Sequence, residues 1–154
     1  DMQHAADLLS QLNINLTKLI KQLDSNCKNS NNYTEANIKD IERLKGNYNE
    51  NYISESSPGN KFTSYSINKG DKIVFCLRSK DEHKKLIDLN TITFVAIHEC
   101  AHLMTKSIGH TPEFWENMKF LLKEGITIGI YTKQDFNSNP VEYCGMKITD
   151  TPLK

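Results

Sequence analysis

The sequence predicts an α+β fold class, and three observations carry that expectation. Apolar residues recur at helical spacing in several separate stretches, an alternating segment between them reads as a β-hairpin, and 154 residues suit one domain with its own core. The expected organisation is a single domain over 1–154. N-terminal helices occupy 1–46, a hairpin and two helices occupy 62–124, and an irregular tail occupies 134–154.

Residues 5–23 carry Leu8, Leu9, Leu12, Leu16, Leu19, Ile20 and Leu23 at helical spacing, which predicts a helix facing the core. A polar connector follows from Asn26 to Asn32. Thr34 is the expected N-cap of a second helix, which runs through Ile38, Ile41 and Leu44 and stops at Gly46. Residues 47–60 read as loop, with a Ser-Ser-Pro-Gly break at 56–59. Phe62 to Ile67 alternates, Asn68-Lys69-Gly70-Asp71 turns the chain, and Ile73 to Leu77 returns as an apolar strand. Lys80 to Lys85 is a charged, solvated connector. The strongest helical stretch is 90–106, capped by Asp88 or Asn90. The next helix starts with Thr111 as N-cap, Pro112 at its first position and Glu113 in its first turn. It carries Phe114, Met118, Leu121 and Leu122 and ends near Gly125. Residues 126–131 are compatible with a strand or with more helix. In the tail, Pro140 and Pro152 exclude long regular elements.

Charge narrows the partners. Nineteen basic and nineteen acidic side chains balance, and only Arg43 and Arg78 are arginines. Such a chain has little capacity for bidentate phosphate or base contacts, so its charge gives no support for nucleic acid. No apolar run approaches the roughly 20 residues that span a bilayer, and no signal peptide is visible. The chain opens on Asp1, which leaves room for an upstream segment, a membrane anchor included. Abundant Asn, Lys and Ile read as codon bias of an AT-rich genome, viral or protist. The expected setting is intracellular: nucleus, cytoplasm or viral factory. The four cysteines form no Cys-x-x-Cys pair, so reduced thiols are the expectation. Two glycosylation acceptor patterns, at Asn15 and Asn32, are chance matches in so Asn-rich a chain. A monomer is expected.

His98-Glu99-Cys100-Ala101-His102 is an HExxH motif inside the strongest helical stretch. Residues four apart stand one above the other on a helix, so His98 and His102 are able to grip one metal ion. Zinc held by three protein ligands acidifies water and polarises a carbonyl. Glu99, beside the first ligand, takes the proton of the attacking water and later delivers it to the leaving amine. Phe94, Ile97, Ala101 and Met104 mark the core-facing side of this helix, and the two histidines fall off it.

A third metal ligand is required. His110 is the first choice, because Gly109 lets the chain turn back and the helix after it fixes its position. Cys76 is the second choice, although its apolar strand favours a buried core thiol. Glu113 is weaker, and His4 and His83 read as exposed. Tyr143, Tyr65 and Arg78 are candidate donors to a tetrahedral intermediate. Tyr65 to Ile67 or Ile73 to Leu77 would serve as the strand that pairs with substrate backbone.

His98-Glu99-Cys100-Ala101-His102, followed by Gly109-His110-Thr111-Pro112-Glu113-Phe114-Trp115, resembles the WLM and SprT-like metallopeptidases. In those families a third histidine opens a His-x-x-x-Phe element, and His110 and Phe114 fall on its two ends. Pro112 and Glu113 match the SprT-like version, Thr111 replaces its glycine, and the short spacing between the histidine sites favours the WLM branch. The resemblance is strongest over 62–124. The segment Pro140-Val141-Glu142-Tyr143-Cys144-Gly145-Met146 is similar to the end of WLM-like proteins of large DNA viruses.

This resemblance implies a compact zincin-like domain, with several helices packed on a small, mostly antiparallel sheet and the HExxH on the central helix. It implies Zn2+ held by His98, His102 and His110, with Glu99 catalytic and a protein or peptide as substrate. Many members act on proteins crosslinked to DNA, but the basic tails that go with that role are missing from this sequence. Two rivals stand beside it. Peptide deformylase has a similar metal motif but also a glycine-rich loop and a Glu-Gly-Cys motif, both absent here. A non-catalytic or autoinhibited zinc-binding interaction domain would need a closing fourth ligand, such as Cys76 or Cys144, or a tail lying over the cleft.

Overall fold

A computed structural model describes residues 2–29, 32–56, 64–79 and 85–153. Among the described residues, four helices and two small sheets form an α+β arrangement, as the sequence predicts. The first helix, α1 (Met2–Asn29), is longer than its apolar stripe. Its polar ends continue the helix through side-chain bonds one turn apart, Gln3 to Asp7 and Gln22 to Asn26. Leu12, Leu16, Leu19 and Leu23 are fully buried. The second, α2 (Glu35–Asn47), opens with the Thr34 cap and a reciprocal Asn37 bond, and it ends one residue past Gly46.

The sheet holds one strand that the sequence does not announce. Within the expected loop 47–60, a 3-10 turn (Glu50–Tyr52) leads into β1 (Ile53–Glu55). Three residues with no alternation give no local signal. The strand exists because it pairs, parallel, with β3 (Lys72–Phe75). On the other side of β3 lies β2 (Ser64–Ile67), antiparallel, with Tyr65 opposite Val74. The centre of the order β1-β3-β2 is therefore β3, with both edges occupied. That removes Ile73 to Leu77 as a substrate-pairing strand and leaves the outer edge of β2 among the described residues. The expected start of this hairpin, Phe62 and Thr63, and most of the Lys80–Lys85 connector lie outside the described residues.

The turn between β2 and β3 has left-handed backbone at Asn68 (φ 48°), Lys69 (φ 52°) and Gly70 (φ 121°). Gly70 packs so closely on the end of α2 that a Cβ there would lie 2.1 Å from the Asn47 carbonyl oxygen. A non-glycine residue held in this region costs of order 1–3 kcal/mol, so Lys69 is conspicuous there.

The third helix, α3 (Leu89–Met104), starts at the Asp88 cap. It packs against α1, α2, α4 and β2 and is buried along most of its length. The fourth, α4 (Pro112–Thr127), starts at the Thr111 cap. Residues 128–131 are neither strand nor helix: Gly129 (φ 83°) turns the chain, and the Ile130 amide donates back to the Gly125 carbonyl. The tail is also not wholly irregular. It carries a hairpin, β4 (Val141–Tyr143) and β5 (Met146–Ile148), turned by Cys144 (φ 50°) and Gly145 (φ 90°). The strands are three residues each, which is what Pro140 and Pro152 leave room for.

The expectation of reduced thiols is overturned at one pair. Cys76 and Cys144 form a disulfide across a separation of 68 residues, while Cys27 and Cys100 are free. Sequence alone does not specify connectivity, and here the bond joins the residue directly after β3 to the tail turn.

Candidate metal centre

The site starts from the register of α3. Asp88 caps the helix through the Thr91 amide, and from that start Phe94, Ile97, Ala101 and Met104 face the core, all buried. His98 and His102 fall on the adjoining face, one turn apart and half-buried. Glu99 points inward and is only 6% exposed.

His110 reaches the same place by a connector. The helix ends at Thr105, and Gly109 (φ 88°) bends the chain before the Thr111 cap of α4. Ser107 and Thr111 share a 2.7 Å hydroxyl contact across the bend. His98, His102 and His110 converge, with one ring nitrogen of each within 4.8 Å of the others. The Nε2 atoms of His98 and His110 are 3.2 Å apart. Two nitrogens bound at ~2.0–2.1 Å to one tetrahedral zinc ion lie about 3.3 Å from each other, so this pair fits. Phe114 forms the back of the cluster. It is fully buried, and its ring centre lies 4.3 Å from that of His102 and 4.9 Å from that of His110.

Electrostatics favour metal-competent forms. Burial and the neighbouring imidazoles push His98 down to about 3, and burial with the charges of His110 and Lys69 pushes His102 down to about 4. Both rings are thus neutral near pH 7, the form that ligates. Burial raises Glu99 to about 7, with the Ser66 hydroxyl pulling the other way. A carboxyl poised there is able to accept and return a proton near neutral pH.

Beside the cluster is a cleft of about 360 Å3. His98 and Glu99 line it at one side, Phe94 and Trp115 contribute apolar surface, and Met146 and Ile148 of β5 form the far wall. The tail therefore borders the cleft, which stays open.

The other candidates separate clearly. Cys76 and Cys144 are bonded to each other and hold no free thiolate for a metal. Glu113 is exposed and stands outside the histidine cluster among the described residues. Tyr143 lines the cleft but is 2% exposed, with its hydroxyl donated to the Cys76 carbonyl at 2.8 Å and in contact with Ser64. Arg78 is engaged by Glu55 at 2.9 Å. Tyr65 lies on β2, and His4 is exposed near the start of α1. His83 lies outside the described residues.

Sequence reasoning missed the group that finishes α3. Asn47 donates to the Leu103 carbonyl at 3.0 Å and Arg43 to the Met104 carbonyl at 2.9 Å. Lys69 donates to the Thr105 carbonyl and, at 2.8 Å, to the Ser107 carbonyl. Asn117 of α4 donates to the Thr105 hydroxyl at 2.9 Å. Asn47, Arg43 and Lys69 thus satisfy carbonyls at and just past the helix end, which the helix leaves free. The only sequence signal was a lysine in a turn that backbone preference gives to Gly or Asn.

A family model described as WLM domain matches residues 45–152. Among curated proteins, the uncharacterized protein R325 of Acanthamoeba polyphaga mimivirus is 34% identical over 140 residues, covering 90% of this chain and 70% of that protein. The uncharacterized protein 136R of Invertebrate iridescent virus 6 is 32% identical over 84 residues, and 042R of Invertebrate iridescent virus 3 is 36% identical over 84. Each of these two matches covers 54% of this chain, and 47% and 50% of the respective viral protein. Among solved structures, the crystal structure of Wss1 from Saccharomyces cerevisiae aligns with a TM-score of 0.44 and 20% identity, covering 61% of this chain and 73% of that one.

Proposed function

Because this chain belongs to the WLM domain family, we propose that it is a zinc-dependent endopeptidase, with His98, His102 and His110 as the metal ligands and Glu99 as the general base. The observation that carries this reading is the convergence of three imidazoles beside a buried carboxyl at the edge of a cleft. Zinc, when bound, would supply Lewis acidity toward a carbonyl oxygen and toward water. Phe114 holds the three rings in place from behind. Among the described residues no further strand lies beyond β2, so its outer edge is the candidate to pair with an extended substrate backbone, and Ser66 of that strand adjoins Glu99. Glu99 takes a proton from the attacking water and hands it to the leaving amine. Phe94, Trp115 and Met146 keep the cleft apolar, which strengthens each charge interaction inside it.

The test pairs elemental zinc analysis with hydrolysis of an unfolded protein substrate. Wild type is expected to hold one zinc per chain and to cleave. Glu99→Gln keeps the zinc and loses at least ~100-fold in rate, in line with removal of a positioned acid–base group. Undiminished cleavage by clean Glu99→Gln protein would remove Glu99 from this role. The same assay with added single- and double-stranded DNA addresses the substrate class. The balanced charge gives no support of its own for DNA, so DNA-stimulated cleavage would be needed to extend the reading to DNA-bound protein. A buried carboxyl beside the ligands has no task in a purely structural zinc site, which favours the catalytic reading over that one.

A further inference from the structure

We propose that Lys69 is the positioning residue for His110: its ammonium ties the connector after α3 to the β2–β3 turn and so sets where the third ligand stands. The inference rests on the reading of the three histidines as a zinc site.

Two independent observations point to it. The first is the state of the connector. Lys106, Ile108, Gly109 and His110 are exposed, with Ile108 at 88%, so packing does little to hold this segment. The Lys69 ammonium donates to the carbonyls of Thr105 and Ser107, bracketing the point where the chain leaves the helix. Among the described residues, no other side chain from a different element donates to the backbone of 106–110. His98 and His102 need no such tether, because α3 itself fixes them.

The second is the backbone of Lys69. It sits at φ 52°, directly after Asn68 at φ 48°. Asn and Gly occupy such positions with least strain, and lysine does not. The turn is seated firmly, since Gly70 abuts the Asn47 carbonyl and Asn47 bonds α3 through Leu103. From that fixed base a lysine side chain spans to Ser107, whereas the side chains that suit the backbone are too short. A strained residue whose side chain reaches a functional segment is the pattern expected when the strain serves a purpose.

The experiment compares zinc affinity, by competition with a chromophoric chelator, and melting of the zinc-free protein. The proteins are wild type, Lys69→Asn, Lys69→Arg, His110→Ala and the double variant Lys69→Asn/His110→Ala. Asparagine suits the left-handed backbone, so Lys69→Asn should melt no lower than wild type without zinc. It should nevertheless bind zinc about tenfold more weakly, the low end for loss of a group that orients a ligand. Lys69→Arg, which keeps a donor within reach of both carbonyls, should recover most of the affinity. In the His110→Ala background, Lys69→Asn should cost nothing further. A residue with a merely structural role would lower zinc-free melting and would act equally in both backgrounds. Unchanged affinity in Lys69→Asn, or an equal loss with and without His110, overturns the proposal while leaving the zinc site standing. A wild type without zinc, or His110→Ala with full affinity, overturns the zinc-site reading and this inference together.

Discussion

Glu99 is enclosed by the core side of α3, with the Ser66 hydroxyl rather than a cation beside it, so burial decides its titration. The carboxyl is raised from 4.5 to about 7 in the folded chain. Below pH 4.5 the folded and unfolded chains both hold the proton, and the burial carries no charge penalty. As pH rises toward 7 the unfolded chain releases it first, so stability falls, and above pH 7 the loss is complete. At about 1.4 kcal/mol per pH unit it reaches ~3 kcal/mol. In zinc-free protein, Glu99→Gln should therefore be more stable than wild type at pH 8 by up to that amount, with the difference nearly gone by about pH 4. Chelator-treated melts at the two pH values check this. A difference that does not grow with pH would mean that the carboxylate is better solvated than its burial implies. His98, Glu99 and His102 were legible in the sequence because their relation is local: a four-residue step on a helix. Lys69 was not, because its role depends on a turn meeting the end of a distant helix.

At the level of elements, α3 and α4 divide the labour. The first presents His98 and His102, the two proposed ligands, one turn apart, and the second closes the back of the cluster with Phe114. Truncating that ring leaves a cavity in the core and frees all three imidazoles. Phe114→Ala should cost about 3–5 kcal/mol of stability and weaken zinc binding, read by melting and by chelator competition. Unchanged values for both would show that the ring is a bystander. The two helices were readable from their caps, Asp88 and Thr111, and from apolar spacing. The short strands β1, β4 and β5 were not. Their three residues carry no period to read, and their partners, not their composition, make them strands.

Across the whole molecule, the Cys76–Cys144 bond joins the sheet to the tail that borders the cleft. Tyr143, next to it, adds hydroxyl contacts to Ser64 and the Cys76 carbonyl. Closing a loop of 68 residues restricts the unfolded chain by about 4 kcal/mol in the chain-entropy estimate. Reduction, or Cys144→Ser, should lower the melting temperature by roughly 10 °C. Matched melts with and without dithiothreitol test it, and coincident curves would show that the bond adds nothing to stability. The even cysteine count permitted such a pair, but only the fold brings positions so far apart in sequence to one place.

The bond has one more result. His98, Glu99, His102 and His110 all lie between its two half-cystines, so the proposed site sits inside a covalent ring. A single backbone cut within that ring opens the circle without shedding a fragment. The severed ends stay tethered, where in a linear chain they would part.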